Sequence, residues 1–411
     1  MVVIERKAQS GDPAPSPSSS NAPWHPELPT QLMSLPRSNT SPTLVDMLET
    51  PAALVDLDRL AHNLDRMAAY CVLHGLALRP HAKTHKAPRI AAEQLRLGAA
   101  GLTCATPREL EVMADVCSDL LLAHPPVGAA KLRRVLSLDR NVRLTVAIDS
   151  IDAAEPLAEA ADAAGREVDV YVEVDVGMRR VGVTTPDEAL AVARRLRSLA
   201  PLTYRGILFY PGHVRQHLSR QDDALARLRS DLARWLATLG DAGLAPAVVS
   251  GGSTPAAWRM HEVTGVTEVR PGTYVYNDRA TVELGACGWE DCALTVLATV
   301  ISTAVPGQAV VDAGSKALGR EPLPAGDEAG YGCLLDRPGI RVVRMSEEHG
   351  ILDLRGSDWH PRVGDVVRIV PNHVCIVVHL NDVIVGVRGA LVEASWPVSA
   401  RGRVPLPGAA S

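Results

Sequence analysis

From Ala53 onward, short runs that are almost wholly apolar alternate with amphipathic stretches, at a spacing of roughly 20 to 35 residues. Ala53–Leu57, Ala77–His81, Gly101–Ala105, Leu120–His124, Arg143–Asp149, Asp169–Val176, Tyr204–Tyr210, Ala247–Ser250 and Thr267–Arg270 read as strands. Between them, Arg59–His74 is an amphipathic helix, and a second helix runs from Pro88 to about Leu97. A third starts at Thr106-Pro107, with Thr as cap and Pro in the first turn. Strands that are apolar on both faces need cover on both faces, which parallel strands with helical crossovers provide. About eight such units favour a closed, TIM-like (β/α)8 barrel. An open doubly wound sheet is second, because no Gly-x-Gly-x-x-Gly follows the first strand.

After about Cys287 the helical period disappears. Ala293–Thr303, Gln308–Asp312, Gly350–Leu354, Val363–Val370, Val374–Leu380, Val383–Arg388 and Leu391–Trp396 read as strands, with Asn381-Asp382 as a hairpin turn. The expected organisation is a disordered Pro/Ser-rich tail over 1–40, a barrel over 45–287 and an all-β domain over 288–403 that can include part of 41–52. With a single phenylalanine, Phe209, the core must rest on Ala, Leu and Val, which suits βα repeats. A net charge of -5 gives no reason to propose a nucleic-acid partner. No apolar run approaches the ~18 residues of a membrane span, and the tail lacks the apolar core of a secretory signal. Seven scattered cysteines without a paired spacing suggest free thiols in a reducing, cytoplasmic setting.

One stretch stands apart: Arg79-Pro80-His81-Ala82-Lys83-Thr84-His85-Lys86. It closes the run Gly75-Leu76-Ala77-Leu78, so two lysines, two histidines and an arginine crowd one strand end. A solvated basic loop is one reading. Position supports another, because the C-terminal end of a strand in a βα unit is where such folds place chemistry. A partly desolvated lysine among cations has its ammonium destabilised, which favours the neutral amine and Schiff-base formation.

Two further motifs have a physical rationale. Ser250-Gly251-Gly252-Ser253-Thr254 follows a strand and opens a helical stretch, so its backbone N–H groups can hold a dianion. An ordinary tight turn would carry the same residues, but late barrel loops often bind phosphate. In Pro371-Asn372-His373-Val374-Cys375, residues two apart on an extended strand share a face, so His373 and Cys375 can meet one metal ion. Imidazole plus thiolate suits Zn²⁺ or a similar borderline ion. The alternative is a buried structural histidine and cysteine.

Together with Thr50-Pro51-Ala52-Ala53-Leu54-Val55-Asp56-Leu57-Asp58, the Lys83 stretch resembles the start of the alanine-racemase-like (fold-type III) pyridoxal-phosphate enzymes, and within them the D-serine dehydratase and D-threonine aldolase branch. The resemblance covers about residues 45 to 403. It implies a barrel followed by a β domain, a homodimer, and Lys83 as the lysine that binds pyridoxal 5'-phosphate. Glu268 to Asp278 resembles the family's late phosphate and ring-nitrogen segment. There Gly272 and Thr273 offer backbone donors, Tyr276 a phenol, and Arg270 a cation that keeps the pyridine nitrogen unprotonated. The alternative for Arg270 is an ion pair with Glu268. Gly252, Ser253 and Thr254 supply the rest of the cradle. Asp175-Val176-Gly177-Met178-Arg179-Arg180-Val181-Gly182-Val183 matches a family pattern that sets Arg180 near the cofactor's phenolic oxygen, with Arg179 as a surface neighbour. Tyr210 and His213 line the substrate pocket, unless the tyrosine only braces the rim. Ser346-Glu347-Glu348-His349-Gly350 also resembles a family segment, with His349 as a catalytic group near metal or substrate.

His-x-Cys is similar to the zinc ligands of the D-serine dehydratase branch, whereas the aldolases more often carry His-x-Asp. The resemblance therefore implies a pyridoxal-phosphate- and divalent-metal-dependent (Zn or Mn) lyase acting on a D-3-hydroxy amino acid. The first expectation is a D-serine or D-threo-3-hydroxyaspartate dehydratase yielding keto acid and ammonia. A D-threonine aldolase yielding glycine and an aldehyde is second. A racemase needs another acid–base group on the opposite face of the cofactor, for which Tyr331 is a candidate. The small non-catalytic pyridoxal-phosphate proteins lack the β domain, and a purely structural zinc protein leaves the Lys83 stretch and the glycine cradle unexplained.

Overall fold

The computed structural model describes residues 44–402, apart from 324, 325, 327 and 328. The tail expected over 1–40 lies outside the described residues, as does residue 403. The chain enters through β1 (Ala52–Asp56) and the helix Leu57–Leu73, whose N-terminus is capped by the Asp56 carboxylate. Eight parallel strands follow, separated by helices: β2 (Ala77–Leu78), β3 (Leu102–Cys104), β4 (Asp119–Leu122), β5 (Arg143–Ile148), β6 (Val168–Glu173), β7 (Leu202–Leu208), β8 (Val248–Gly251) and β9 (Glu268–Val269). Their order is β2-β9-β8-β7-β6-β5-β4-β3. The ends of that sheet meet where His81 bridges Thr103, with Thr103 N donating to Pro80 O at 2.9 Å and Ala82 N to Thr103 O at 2.8 Å. The (β/α)8 barrel expected from the apolar strand pattern is the fold of this part of the chain.

Three of the barrel's helices begin on side-chain caps at Thr106, Ser150 and the Thr185–Glu188 capping box. Inside, Leu121, Ala147, Tyr171 and Leu208 from four adjacent strands pack as one apolar layer. Residues two further along those strands face the same interior, nearer the C-terminal mouth.

The remaining strands form a second, mainly antiparallel sheet: β10 (Leu294–Ser302), β11 (Gln308–Val311), β12 (Gly332–Leu334), β13 (Val342–Met345), β14 (Gly350–Asp353), β15 (Val366–Pro371), β16 (Val383–Arg388) and β17 (Leu391–Pro397). The opening strand β1 belongs here. It pairs antiparallel with β10 and parallel with β16, so the first apolar run counts toward this sheet and not toward the barrel. Its Leu54 is 1% exposed and packs with Val45, Leu297 and Val387, while Ala53 and Val55 join the large core that runs through both parts.

One expected strand is a helix. Val374–Leu380 forms a short helix with His373 as its N-cap residue, and Asn381 closes that helix instead of turning a hairpin. The run Val-Cys-Ile-Val-Val-His-Leu is nearly continuously apolar, and periodicity cannot separate a buried helix from a buried strand in so short a segment. Among the described residues no helix is long and apolar enough to cross a membrane, and all seven cysteines are free.

Because Leu54 fills a core made by β1, β10 and β16, Leu54→Ala should destabilise the protein by about 2–5 kcal/mol, read from urea unfolding. A loss below about 0.5 kcal/mol, the usual surface-substitution range, would contradict the placement of β1.

Candidate active site

The basic stretch after β2 divides into tethered and available charges. Arg79 is buried and donates to Glu268 Oε2 at 2.7 Å and to Asp119 Oδ1 at 2.7 Å. Lys86 is buried against the carboxylate of Glu109. His81 is buried, and burial together with Lys83, Arg270, Lys86 and His85 holds its imidazole well below the usual range, so it is neutral. Lys83 lies in the turn between them, half-buried, with no carboxylate among the described residues in ion-pair reach. Its Nζ is 5.8 Å from the centre of the Tyr210 ring. The Arg180 guanidinium lies 4.9 Å from the same ring. The expected Lys83, Arg180 and Tyr210 thus meet at the barrel mouth. His213 belongs to the same rim, because a Cβ added at Gly177 would fall 3.0 Å from His213 Nε2.

Two strands along from β2, the glycine loop follows β8 directly. A Cβ at Gly251 would lie 2.1 Å from Phe209 Cζ, and Gly252 has φ +101, so both positions need glycine. Ser253 Oγ, Thr254 Oγ1 and Tyr276 Oη are buried hydroxyls without a hydrogen-bond partner. A buried hydroxyl left unpaired is costly, so an acceptor-rich group such as phosphate suits Ser253 and Thr254. Gly272 is also confined, because a Cβ there would come within 2.7 Å of Thr84 Oγ1. Thr273 follows it, half-buried. Burial and the neighbouring Cys375 raise the Tyr276 phenol, while the indole of Trp396 opposes this.

Arg270 is buried, and its guanidinium donates from Nε to Ser250 Oγ at 2.9 Å and from Nη2 to Phe209 O at 2.8 Å. It reaches Glu268 through Ser250, whose hydroxyl donates to Glu268 Oε1 at 2.6 Å. The direct Arg270–Glu268 pair weighed from the sequence is therefore replaced by a relay. Glu173, at the end of β6, went unnoticed in the sequence. It is 4% exposed, its Oε2 has no partner, and burial raises its carboxyl against the pull of Arg270 and Arg180. The available signal was a lone acid two residues beyond Tyr171 on an inward-facing register.

The second sheet contributes the imidazole–thiol pair. His373 and Cys375 are both half-buried. Cys375 Sγ lies 3.3 Å from Thr84 Oγ1, next in sequence to Lys83. Burial opposes the Cys375 thiolate, yet the His373 imidazole, Thr84 and the Lys83 cation bring the thiol below its usual range. Burial likewise opposes the His373 imidazolium, and Cys375 and Asp278 outweigh it, so His373 is raised. An imidazole and a thiol whose protons shift in opposite directions are donor atoms that a cation can take in exchange for a proton. Because His373 is an N-cap and Cys375 lies in the first turn, the two meet across a helix start and not on one strand face. Among the described residues no group of three or more His, Cys, Asp or Glu side chains is placed to hold a metal ion. His349 is exposed on the turn between β13 and β14, and no hydrogen bond joins it to Lys83, His373 or Cys375.

Residues 55–280 match the family model described as alanine racemase, N-terminal domain, and residues 293–387 match a putative serine dehydratase domain. The chain belongs to the alanine-racemase-like, fold-type III family of pyridoxal-phosphate proteins. It is 35% identical over 367 residues to a D-threonine aldolase of Arthrobacter sp, covering 86% of this chain and 93% of that protein. It is 37% identical over 352 residues to a D-threo-3-hydroxyaspartate dehydratase of Delftia sp. (strain HT23), covering 80% and 91%. Among solved structures, a D-threonine aldolase from Filomicrobium marinum superposes with TM-score 0.80 at 34% identity, over 89% of this chain and 99% of that one. These relatives are lyases of D-amino acids.

The unpaired hydroxyls give a two-sided expectation. Thr254→Val removes a buried group that lacks a partner in the cofactor-free protein, so the melting temperature of that form should stay level or rise. Pyridoxal-phosphate affinity, read by titration of the cofactor's absorbance, should fall by about 10- to 100-fold, the worth of a hydrogen bond to a charged group. Unchanged affinity would remove Thr254 from the cradle.

Proposed function

We propose that the protein is a pyridoxal-phosphate- and divalent-metal-dependent lyase of D-3-hydroxy amino acids, a dehydratase of the D-serine or D-threo-3-hydroxyaspartate kind. The observation that carries this reading is the contact between Cys375 and Thr84, next in sequence to Lys83, which brings a half-buried imidazole and thiol close to that lysine. Two solved D-threo-3-hydroxyaspartate dehydratase variants support the metal assignment. One has a histidine and the other a cysteine two positions further on replaced by alanine, the cysteine variant being in the metal-free form. That spacing is the spacing of His373 and Cys375. One thiolate and one imidazole favour zinc over harder ions, with the remaining coordination positions left to water or substrate.

When bound, pyridoxal phosphate supplies an electron sink for charge at the substrate's Cα, and the metal supplies Lewis-acid polarisation of its β-hydroxyl. The chain's own residues do the rest. Ser253 Oγ, Thr254 Oγ1 and the backbone at Gly252, Gly272 and Thr273 hold the phosphate. Arg270, a donor that cannot release its proton, would keep the pyridine nitrogen unprotonated. Arg180 and the face of Tyr210 fix the position of the Lys83 amine. The Lys83 amine would take the proton from Cα, and His373 and Cys375 would hold the metal that polarises the β-hydroxyl. The overall products are a keto acid and ammonia. A D-threonine aldolase is the second reading, favoured by the 35% identity to the Arthrobacter enzyme. The same residues serve it, but the Cα–Cβ bond breaks in place of Cα–H.

Product analysis separates the two. Offered D-serine, D-threonine and D-threo-3-hydroxyaspartate, the enzyme should release keto acid and ammonia in equal amounts. Activity should vanish on chelation, return with Zn²⁺ or Mn²⁺, and be absent in Lys83→Ala. Glycine plus aldehyde assigns the aldolase instead, and full activity after chelation removes the metal from the mechanism.

A further inference from the structure

We propose that Asp278 is the positioning residue for His373: its carboxylate fixes the imidazole so that Nε2, and not Nδ1, is the metal ligand. This rests on the reading of His373 and Cys375 as a metal pair. The Asp278 side chain is 0% exposed and lies at the start of the helix Arg279–Glu283. Four donors converge on it. Oδ1 accepts from Thr281 N at 2.9 Å and Thr281 Oγ1 at 3.1 Å. Oδ2 accepts from Val374 N at 3.1 Å and from His373 Nδ1 at 3.1 Å.

An ionised carboxylate can only accept hydrogen bonds. His373 Nδ1 must therefore carry its proton, and the lone pair of a neutral imidazole is left on Nε2. Carboxylate–imidazole pairs of this kind set the tautomer and ring orientation of metal-bound histidines. The other three donors hold Asp278 in place independently of His373, so the carboxylate is a fixed point against which the ring is aligned. Asn277, in the left-handed region at φ 50, turns the chain immediately before it. Because Val374 N shares Oδ2, Asp278 also ties down the helix start that carries Cys375. One buried carboxylate thus positions both members of the pair.

Asp278→Asn tests this with nearly unchanged shape. Whichever way its amide is turned, the NH₂ group meets N–H donors on one side. Turned toward His373, it moves the imidazole proton onto Nε2 and blocks the metal lone pair. Zinc affinity of the full-length, cofactor-loaded protein, measured by competition with a chromophoric chelator, should fall by about 10- to 100-fold. The Schiff-base absorbance at Lys83 should be retained. Affinity within twofold of wild type overturns the proposal. If the variant fails to fold, wild type decides: in zinc-loaded protein labelled with ¹⁵N-histidine, the His373 resonances should show a protonated Nδ1 and a metal-bound Nε2. Zinc on Nδ1 overturns it. Wild type that binds no zinc defeats the metal-dependent lyase reading itself, whereas wild type that binds zinc beside an indifferent Asp278→Asn defeats only the role of Asp278.

Discussion

A carboxylate with no access to water, that of Asp278, joins the end of the barrel to the helix start of the second sheet. A buried charge is tolerated only when hydrogen bonds replace its lost hydration. Asp278 meets that condition by drawing two donors from its own helix start and two from Val374 and His373. The same interaction that removes the cost therefore fixes where His373 and Cys375 stand. Cys375 then rests against Thr84, and the two parts of the candidate site, lysine and metal pair, come within one side-chain contact of each other.

Beside the apolar layer of the barrel interior, the polar groups form a connected system. Arg79 pairs with Glu268, Glu268 accepts from Ser250, and Ser250 accepts from Arg270. Tying up Glu268 in this way leaves the mouth with an excess of cationic and donor groups: Lys83, Arg180, Arg270 and the hydroxyls of Ser253 and Thr254. A dianionic phosphate and an amino acid carboxylate are the complementary charges. Glu173 is the exception, a buried acid with one unpaired oxygen facing Arg270 and Arg180.

Much of this was legible in the sequence because parallel strands in a covered barrel are apolar on both faces, and β4, β5 and β6 carry that pattern over most of their length. Lys83, the glycine loop and the His-x-Cys pair were found from residue type and place. The rest depended on tertiary contacts. β1 reads like a barrel strand, yet its partners β10 and β16 lie more than two hundred residues away. The run after His373 is β-branched and apolar and reads as a strand. It becomes a helix where Asp278 accepts from its first N–H, an interaction across 96 residues. Asp278 left a faint local trace, a capping pattern with Thr281 three positions on, which signals a helix start but says nothing of His373. His349 matched a motif but sits on an exposed turn, because a motif does not reveal which way a hairpin points.

The central claim is that one histidine and one cysteine, brought to Lys83 by the helix start at His373, form the protein's metal site. X-ray absorption at the zinc edge of the loaded enzyme tests it most directly. The account predicts a single sulfur scatterer at about 2.3 Å together with an imidazole signal, the rest of the shell being light oxygen or nitrogen atoms. The sulfur shell should disappear in Cys375→Ser. A shell without sulfur in wild type, or one with two or more sulfurs, would contradict the account.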